Sequence, residues 1–216
     1  MGRSSARCPN GVRRRWRARS CRGGGLRPIC AGGMRRRSCW RGLRRWRRGE
    51  GGGMAEAMVV GAGAWGTALA LVLGRSGHQV WLWARPETAA YVEQRRESPK
   101  LPGIALPESV RPTAEVRHAK QAALIVYALP CAALAQRMPA LPLPSDAPVV
   151  VATKGIDPET GLRADELARR YAPESPIALL SGPSFAREVA EGKPTAIVLA
   201  AESLALAQQA AGFFSD

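Results

Sequence analysis

Four short segments of this 216-residue chain combine residue types and spacing that chemistry can use. The first is Gly61-Ala62-Gly63-Ala64-Trp65-Gly66, a GxGxxG run preceded by the apolar, strand-like Met58-Val59-Val60 and followed by a helical pattern. Gly61 permits a tight strand-to-helix turn, Gly63 lets the backbone approach a pyrophosphate, and Gly66 allows the helix to pack closely on the strand. An anion there meets free N–H groups and the positive end of the helix dipole. Gly and Ala are common in the chain, so the run alone is weak and could be a ligand-free turn. Its strand–turn–helix setting makes it a dinucleotide fingerprint.

The second segment tests which dinucleotide. Leu82-Trp83-Ala84 ends a strand and Arg85 follows, 19 residues after Gly66. A carboxylate at that place would accept from the ribose 2′-OH of NAD(H), whereas an arginine suits a 2′-phosphate. NADP(H) is therefore favoured, with NAD(H) as the alternative and a solvated surface arginine as the plain reading.

The third and fourth segments also fall at strand ends. Ala152-Thr153-Lys154-Gly155-Ile156 carries one of only four lysines in the chain. An ammonium there can hold an anionic or carbonyl substrate, unless Lys154 is simply a surface lysine. Ser181-Gly182-Pro183-Ser184-Phe185-Ala186 reads as strand, turn and helix start, again a setting for an anion. A plain N-cap is the commoner role for a serine placed like Ser184. Tyr127-Ala128-Leu129-Pro130 ends a further strand at the same edge.

These segments need a scaffold, and the apolar pattern supplies one. Strands are expected at 58–60, 79–84, 123–128, 149–152, 177–180 and 195–200. Helices are expected at 65–74, 87–97, 130–138, 162–171, 184–190 and 202–214, with an irregular Pro-rich connection over 98–112. Strands alternating with helices imply right-handed βαβ units and an α/β, doubly wound, mostly parallel sheet covered on both faces. His78 and His118 read as surface residues. No apolar run is long enough for a transmembrane helix. Cys131, the only cysteine after residue 53, fits a reducing compartment.

Charge divides the chain at one point. Residues 1–53 hold 17 Arg, no Lys and one acid, Glu50, for a net of +16, whereas residues 54–216 hold 15 basic against 16 acidic side chains. The overall +15 thus belongs to the first 53 residues, which excludes a uniformly basic nucleic-acid-binding domain. Four readings compete for this Arg/Gly-rich stretch, which is expected to be disordered when free. It could bind RNA through arginines and Trp16, Trp40 and Trp46. It could be a transit peptide, although its glycine triplets break a targeting helix. It could hold zinc through Cys8, Cys21, Cys30 and Cys39, although none forms a close CxxC pair. The composition favours the fourth reading, in which GC-rich DNA is read through upstream of a start at Met54. Residues 54–216 are then one domain, and nucleic acid is not expected as a partner.

Taken together, the motifs resemble the NAD(P)-dependent glycerol-3-phosphate dehydrogenases, especially the bacterial type. The match runs through GAGAWGTALA (61–70), GHQVWLWAR (77–85), LPGI (101–104), ATKGID (152–157) and SGPSFAREVAEGKPTA (181–196). The resemblance implies a Rossmann-like domain and hydride transfer between NAD(P)H and glycerone phosphate, giving sn-glycerol 3-phosphate for phospholipid synthesis in a cytoplasmic homodimer. It implies dinucleotide contacts at Ala64, Trp65, Arg85 and Ala186 beside the fingerprint glycines Gly61, Gly63 and Gly66. It implies substrate contacts at Gly182 and Ser184, and a shared contact at Lys154.

The family continues into a helical domain opening with a G-x-x-K-N motif whose lysine moves the proton, and this sequence has no such motif. The chain is therefore expected to bind cofactor with negligible turnover, Lys154 being the only nearby donor. Two rivals are weighed. Another two-domain dehydrogenase, of ketopantoate or 6-phosphogluconate type, is disfavoured by the ATKG and SGPSFA segments. An RNA-binding protein acting through residues 1–53 is disfavoured by the lack of a recognised module.

Overall fold

The structure, a computed structural model, describes residues 54–215. The readings made for residues 1–53 lie outside the described residues. Strand β1 (Glu56–Val60) begins the domain. Its Ala57 and Val59 belong to one apolar cluster and Met58 and Val60 to another, all fully buried. A strand hidden on both faces cannot alternate polar and apolar residues, which is why this one reads as a continuous apolar run. Helix α1 (Ala64–Arg75), strand β2 (Gln79–Trp83) and helix α2 (Pro86–Arg95) follow. Pro86 takes the first turn of α2, where its missing N–H costs nothing. Arg96, at a φ of 53°, ends that helix in the left-handed region.

Strand β3 (Val110–Thr113), strand β4 (Leu124–Tyr127) and helix α3 (Cys131–Arg137) come next. They are followed by β5 (Val149–Val151), α4 (Ala164–Tyr171), β6 (Ile177–Ser181), α5 (Ala186–Ala190), β7 (Val198–Ala201) and α6 (Leu204–Gly212). The seven strands form one sheet in the order β3-β2-β1-β4-β5-β6-β7. Every pairing is parallel except that of β6 with β7. Residues of α1, α2, α5 and α6 bury one face, and residues of α3 and α4 the other. The sheet is thus the doubly wound, mostly parallel α/β sheet expected. No helix among the described residues is long and apolar enough to cross a membrane.

Three differences from the sequence reading have physical causes. Val110-Arg111-Pro112-Thr113, all but its last residue assigned to the irregular connection, is an edge strand. Pro112 conceals it in the sequence, and an edge is where a strand tolerates a residue with no N–H. The last strand runs antiparallel to β6, with Ser181 opposite Val198, so the chain re-enters the sheet from the edge it has just left. Finally, His78 is buried rather than at the surface, with its ring centroid 5.3 Å from that of Phe213. His118 is half-buried and stacks on Trp81 at 3.7 Å.

Candidate functional site

The strand order reverses between β1 and β4, and the crevice at such a switch point is where ligands of open α/β sheets bind. The glycine turn lies there. Gly61, at a φ of +118°, donates its N–H to the Trp83 carbonyl at 3.0 Å. A Cβ on Gly61 would lie 2.6 Å from the Ala128 carbonyl oxygen, and one on Gly66 would lie 1.8 Å from the Gly61 oxygen. Both glycines are therefore required by the protein's own backbone. Gly63 differs, since a Cβ there would meet nothing within 4 Å. It opens onto free space at the start of α1, as N-cap without a side-chain capping bond. The first-turn N–H groups, from Ala64 and Trp65 onward, have no intrahelical acceptor. An open glycine beside unpaired amides at a switch point fits a dinucleotide pyrophosphate.

The other residues singled out lie along the same edge of the sheet. Arg85 follows β2 as the exposed N-cap of α2 and makes no ion pair among the described residues. Lys154 follows β5, and its Nζ donates to the carbonyl oxygen of Gly182, after β6, at 3.4 Å. From β2 to β6 is four strand spacings, about 19 Å. Arg85, the glycine turn, Lys154 and Gly182 thus follow one another in a line across the edge. Trp65 and Ala186 both pack against the apolar cluster under α1. The indole Nε1 of Trp65 is buried without a partner.

Ser184 is half-buried and does not cap α5, whose N-cap is Phe185 without a side-chain bond. Its N–H instead donates to the Gly182 carbonyl at 3.1 Å. Helix α5 starts two residues later than expected and is too short for a strong dipole. Any anion held here is held by the turn rather than by a helix terminus.

Three residues that support this edge went unnoticed in the sequence. Ser98 is wholly buried and its Oγ donates to the Ala62 carbonyl at 3.1 Å. Arg187 donates to the Pro102 carbonyl at 3.1 Å. Arg75, in the last turn of α1, donates to the Val189 and Ala190 carbonyls at the end of α5. The partners are distant in the chain, so no local pattern marks them.

Among the titratable groups, Tyr127 lies within the apolar cluster under α3 and α4. It is fully buried, its hydroxyl has no partner, and burial pushes its pKa far above the usual phenol value. Burial, reinforced by the Asp157 carboxylate, also raises the Cys131 thiol, which faces the Gly155 carbonyl at 3.7 Å. Neither group is suited to give or take a proton at neutral pH. His78 lies before β2, at the opposite end of the sheet from the glycine turn.

A glycine turn at the switch point of a doubly wound sheet defines a Rossmann-like dinucleotide-binding domain. The chain belongs to the family described as NAD-dependent glycerol-3-phosphate dehydrogenase N-terminus, which matches residues 56–207. It is 46% identical over 156 residues to glycerol-3-phosphate dehydrogenase [NAD(P)+] of Rhodospirillum rubrum, covering 69% of this chain and 44% of the relative. It is 48% identical over 149 residues to the protein of that name from Stenotrophomonas maltophilia, covering 65% and 43%. The chain thus spans less than half the length of these curated relatives. The glycerol-3-phosphate dehydrogenase structure from Coxiella burnetii matches with a TM-score of 0.69 and 28% identity, covering 76% of this chain and 51% of that one. The Plasmodium falciparum structure reaches a TM-score of 0.67 at 17% identity, covering 81% and 52%, a likeness of fold.

Proposed function

We propose that these residues bind NADP(H) in preference to NAD(H), and that they serve the reversible reduction of glycerone phosphate to sn-glycerol 3-phosphate for glycerophospholipid synthesis. The observation that carries this is the meeting of Lys154 with Gly182 on the edge that also holds the open glycine turn. The dinucleotide, when bound, supplies or takes up the hydride. The remaining work falls to the chain. The amides from Gly63 to Gly66 hold the pyrophosphate, and Ala64, Trp65 and Ala186 line its path. Arg85 receives a 2′-phosphate, for which guanidinium geometry is suited. Lys154 faces both ligands, and Gly182 and Ser184 hold the substrate. The ammonium of Lys154 neutralises charge that develops on the substrate oxygen.

Reduction also needs a proton within hydrogen-bond reach of that oxygen. Among the described residues only Lys154 stands at the edge with protons to give, and it is already assigned to holding ligands. The main proton donor is proposed to be a lysine in the part of the relatives that this chain does not span. The 216 residues by themselves then bind cofactor and turn over negligibly. The free thiol of Cys131 supports the cytoplasm as the compartment.

Fluorescence titration with NADPH and NADH tests the reading. NADPH is expected to bind more tightly, by about tenfold, for one charge-assisted contact. Arg85→Asp should reverse the order. A chain that binds neither dinucleotide would overturn the assignment. Unchanged selectivity in Arg85→Asp would remove Arg85 from the site.

A further inference from the structure

The segment between α2 and β3 is closed on itself. Arg96, which ends α2, donates through Nη2 to the carbonyls of Pro107 at 2.7 Å, Val110 at 3.0 Å and Leu106 at 3.4 Å. The Leu106 N–H donates back to the Arg96 carbonyl at 2.7 Å. Leu101 and Leu106 are buried in the same apolar cluster as Ala62, Val189 and Ala190. The loop Ser98–Leu106 is thereby a fixed strap lying between the glycine turn and α5.

The start of the strap grips one side of the site and its middle grips the other. At the first, the Ser98 hydroxyl donates to the Ala62 carbonyl, and the same Oγ accepts from the Lys100 N–H at 3.3 Å. The Ala62 carbonyl and the Gly63 N–H belong to one trans peptide and so point in opposite directions. Holding the carbonyl inward turns the Gly63 N–H the opposite way, outward from Ser98. At the strap's middle, Arg187 of α5 donates to the Pro102 carbonyl and pairs with Glu191 at 3.7 Å. A five-residue helix cannot hold itself. Its place is set by the packing of Val189 and Ala190, by Arg75 at its end, and by this strap.

We propose that Ser98 is a positioning residue for the dinucleotide turn, and that the strap Ser98–Leu106 couples occupancy of that turn to the ordering of the Gly182–Gly192 segment on the substrate side. Binding that fixes the Ala62–Gly63 peptide steadies the strap, and the strap steadies α5 through Pro102 and Arg187. Coupling of this kind is reciprocal, so a steadier α5 also tightens the turn. The inference rests on the dinucleotide reading and adds to it a coupling between the turn and the substrate side.

Amide hydrogen exchange on the 216-residue chain, with and without NADPH, tests it alongside fluorescence titration. NADPH is expected to slow exchange across 182–192 by about fivefold, a typical coupling factor. Ser98→Ala should raise the NADPH Kd about tenfold while lowering the thermal midpoint by only a few degrees, roughly the cost of one buried hydrogen bond. Arg187→Met should weaken NADPH binding by no more than about the same fivefold, the reciprocal cost, yet abolish the slowing across 182–192, and Arg187→Lys, which retains a donor, should restore part of it. A wild-type chain that fails to bind NADPH overturns the dinucleotide reading. Binding with no change across 182–192, or slowing that survives in Arg187→Met, overturns the coupling. An unaltered Kd in Ser98→Ala overturns the positioning role, and a Kd loss matched by a collapse of the thermal midpoint reduces Ser98 to a structural residue.

Discussion

Lys154 and Gly182 are 28 residues apart in the chain, and the Nζ of one donates to the carbonyl oxygen of the other at 3.4 Å. The meeting follows from topology. β5 and β6 are parallel neighbours, with Val151 in register with Leu179, so the loops that follow them leave the same edge. An ammonium has three donors, and a single contact to Gly182 leaves others to meet a ligand.

Replacing this ammonium should be felt by substrate more than by the fold, since Lys154 is exposed. In Lys154→Met, binding of glycerone phosphate in the presence of NADP+ should weaken about ten- to a hundredfold, as for loss of a charge-assisted hydrogen bond. Isothermal titration calorimetry measures this, and the thermal midpoint should stay within about 2 °C, as for a surface substitution. Equal binding by variant and wild type would remove Lys154 from the substrate site.

Gly63 and Gly66 should separate ligand binding from folding. A Cβ on Gly66 would lie 1.8 Å from the Gly61 oxygen, a contact that forces β1 and α1 apart. Gly66→Ala should therefore lower the thermal midpoint severely or prevent folding, with a cost beyond about 4 kcal/mol. Gly63→Ala meets no protein atom within 4 Å and should fold normally. It should nevertheless weaken NADPH binding at least tenfold, because the methyl occupies the approach of the pyrophosphate. Differential scanning fluorimetry and NADPH titration on both variants would reveal whether the effects separate this way.

His78 predicts a pH dependence of stability with a definite sign. Burial holds its pKa below the ordinary histidine value, against a smaller opposing effect of a hydrogen bond with the Phe213 backbone. The unfolded chain therefore takes up this proton at a higher pH than the folded chain does. The stability this site contributes is complete above about pH 6.5 and declines as the pH falls toward the folded-state value. Denaturant midpoints between pH 7.5 and pH 5 should fall for the wild type and show a shallower slope in His78→Phe. Identical slopes would contradict the assignment.

Asp165 should act in a lower pH window. It accepts from Arg163 Nε and Nη2 and from Arg169 Nη1, each at 2.9 Å, and Arg169 continues to Glu202 at 3.3 Å. The Arg163 bond, chiefly, holds the carboxyl below its ordinary value. Its contribution is whole above about pH 3.9 and is lost as the pH falls through the folded-state value. Asp165→Asn should cost about 1–3 kcal/mol at pH 7. The gap between variant and wild type should narrow at pH 3. Urea unfolding at the two pH values checks both statements.

Much of the molecule is legible in one dimension because its signals are local. The apolar run Met58–Val60, the glycines at 61, 63 and 66, and Pro86 at the start of α2 each act on backbone within a few residues. The strand ends that carry Arg85, Lys154 and Gly182 could be placed from those signals alone. β3 escaped because Pro112 is acceptable only at an edge, and edges are a property of the whole sheet. The reversed β7 escaped because a strand's direction is set by its pairing within the sheet, which its own apolar run does not record. The buried place of His78 escaped because Phe213, against which it packs, lies 135 residues away.

The sequence by itself determined the alternation of strands and helices, the glycine turn, the likeness to a family and the assignment of the excess charge to residues 1–53. All of these depend on composition or on neighbours in the chain. Only the tertiary structure decided what holds the site in shape: Ser98 on Ala62, Arg187 on Pro102 and Arg75 on the end of α5. Those contacts join residues 36, 85 and more than 110 positions apart. A hydrogen bond of that reach depends on how the sheet is ordered and how its helices pack, so it exists only once the chain has folded.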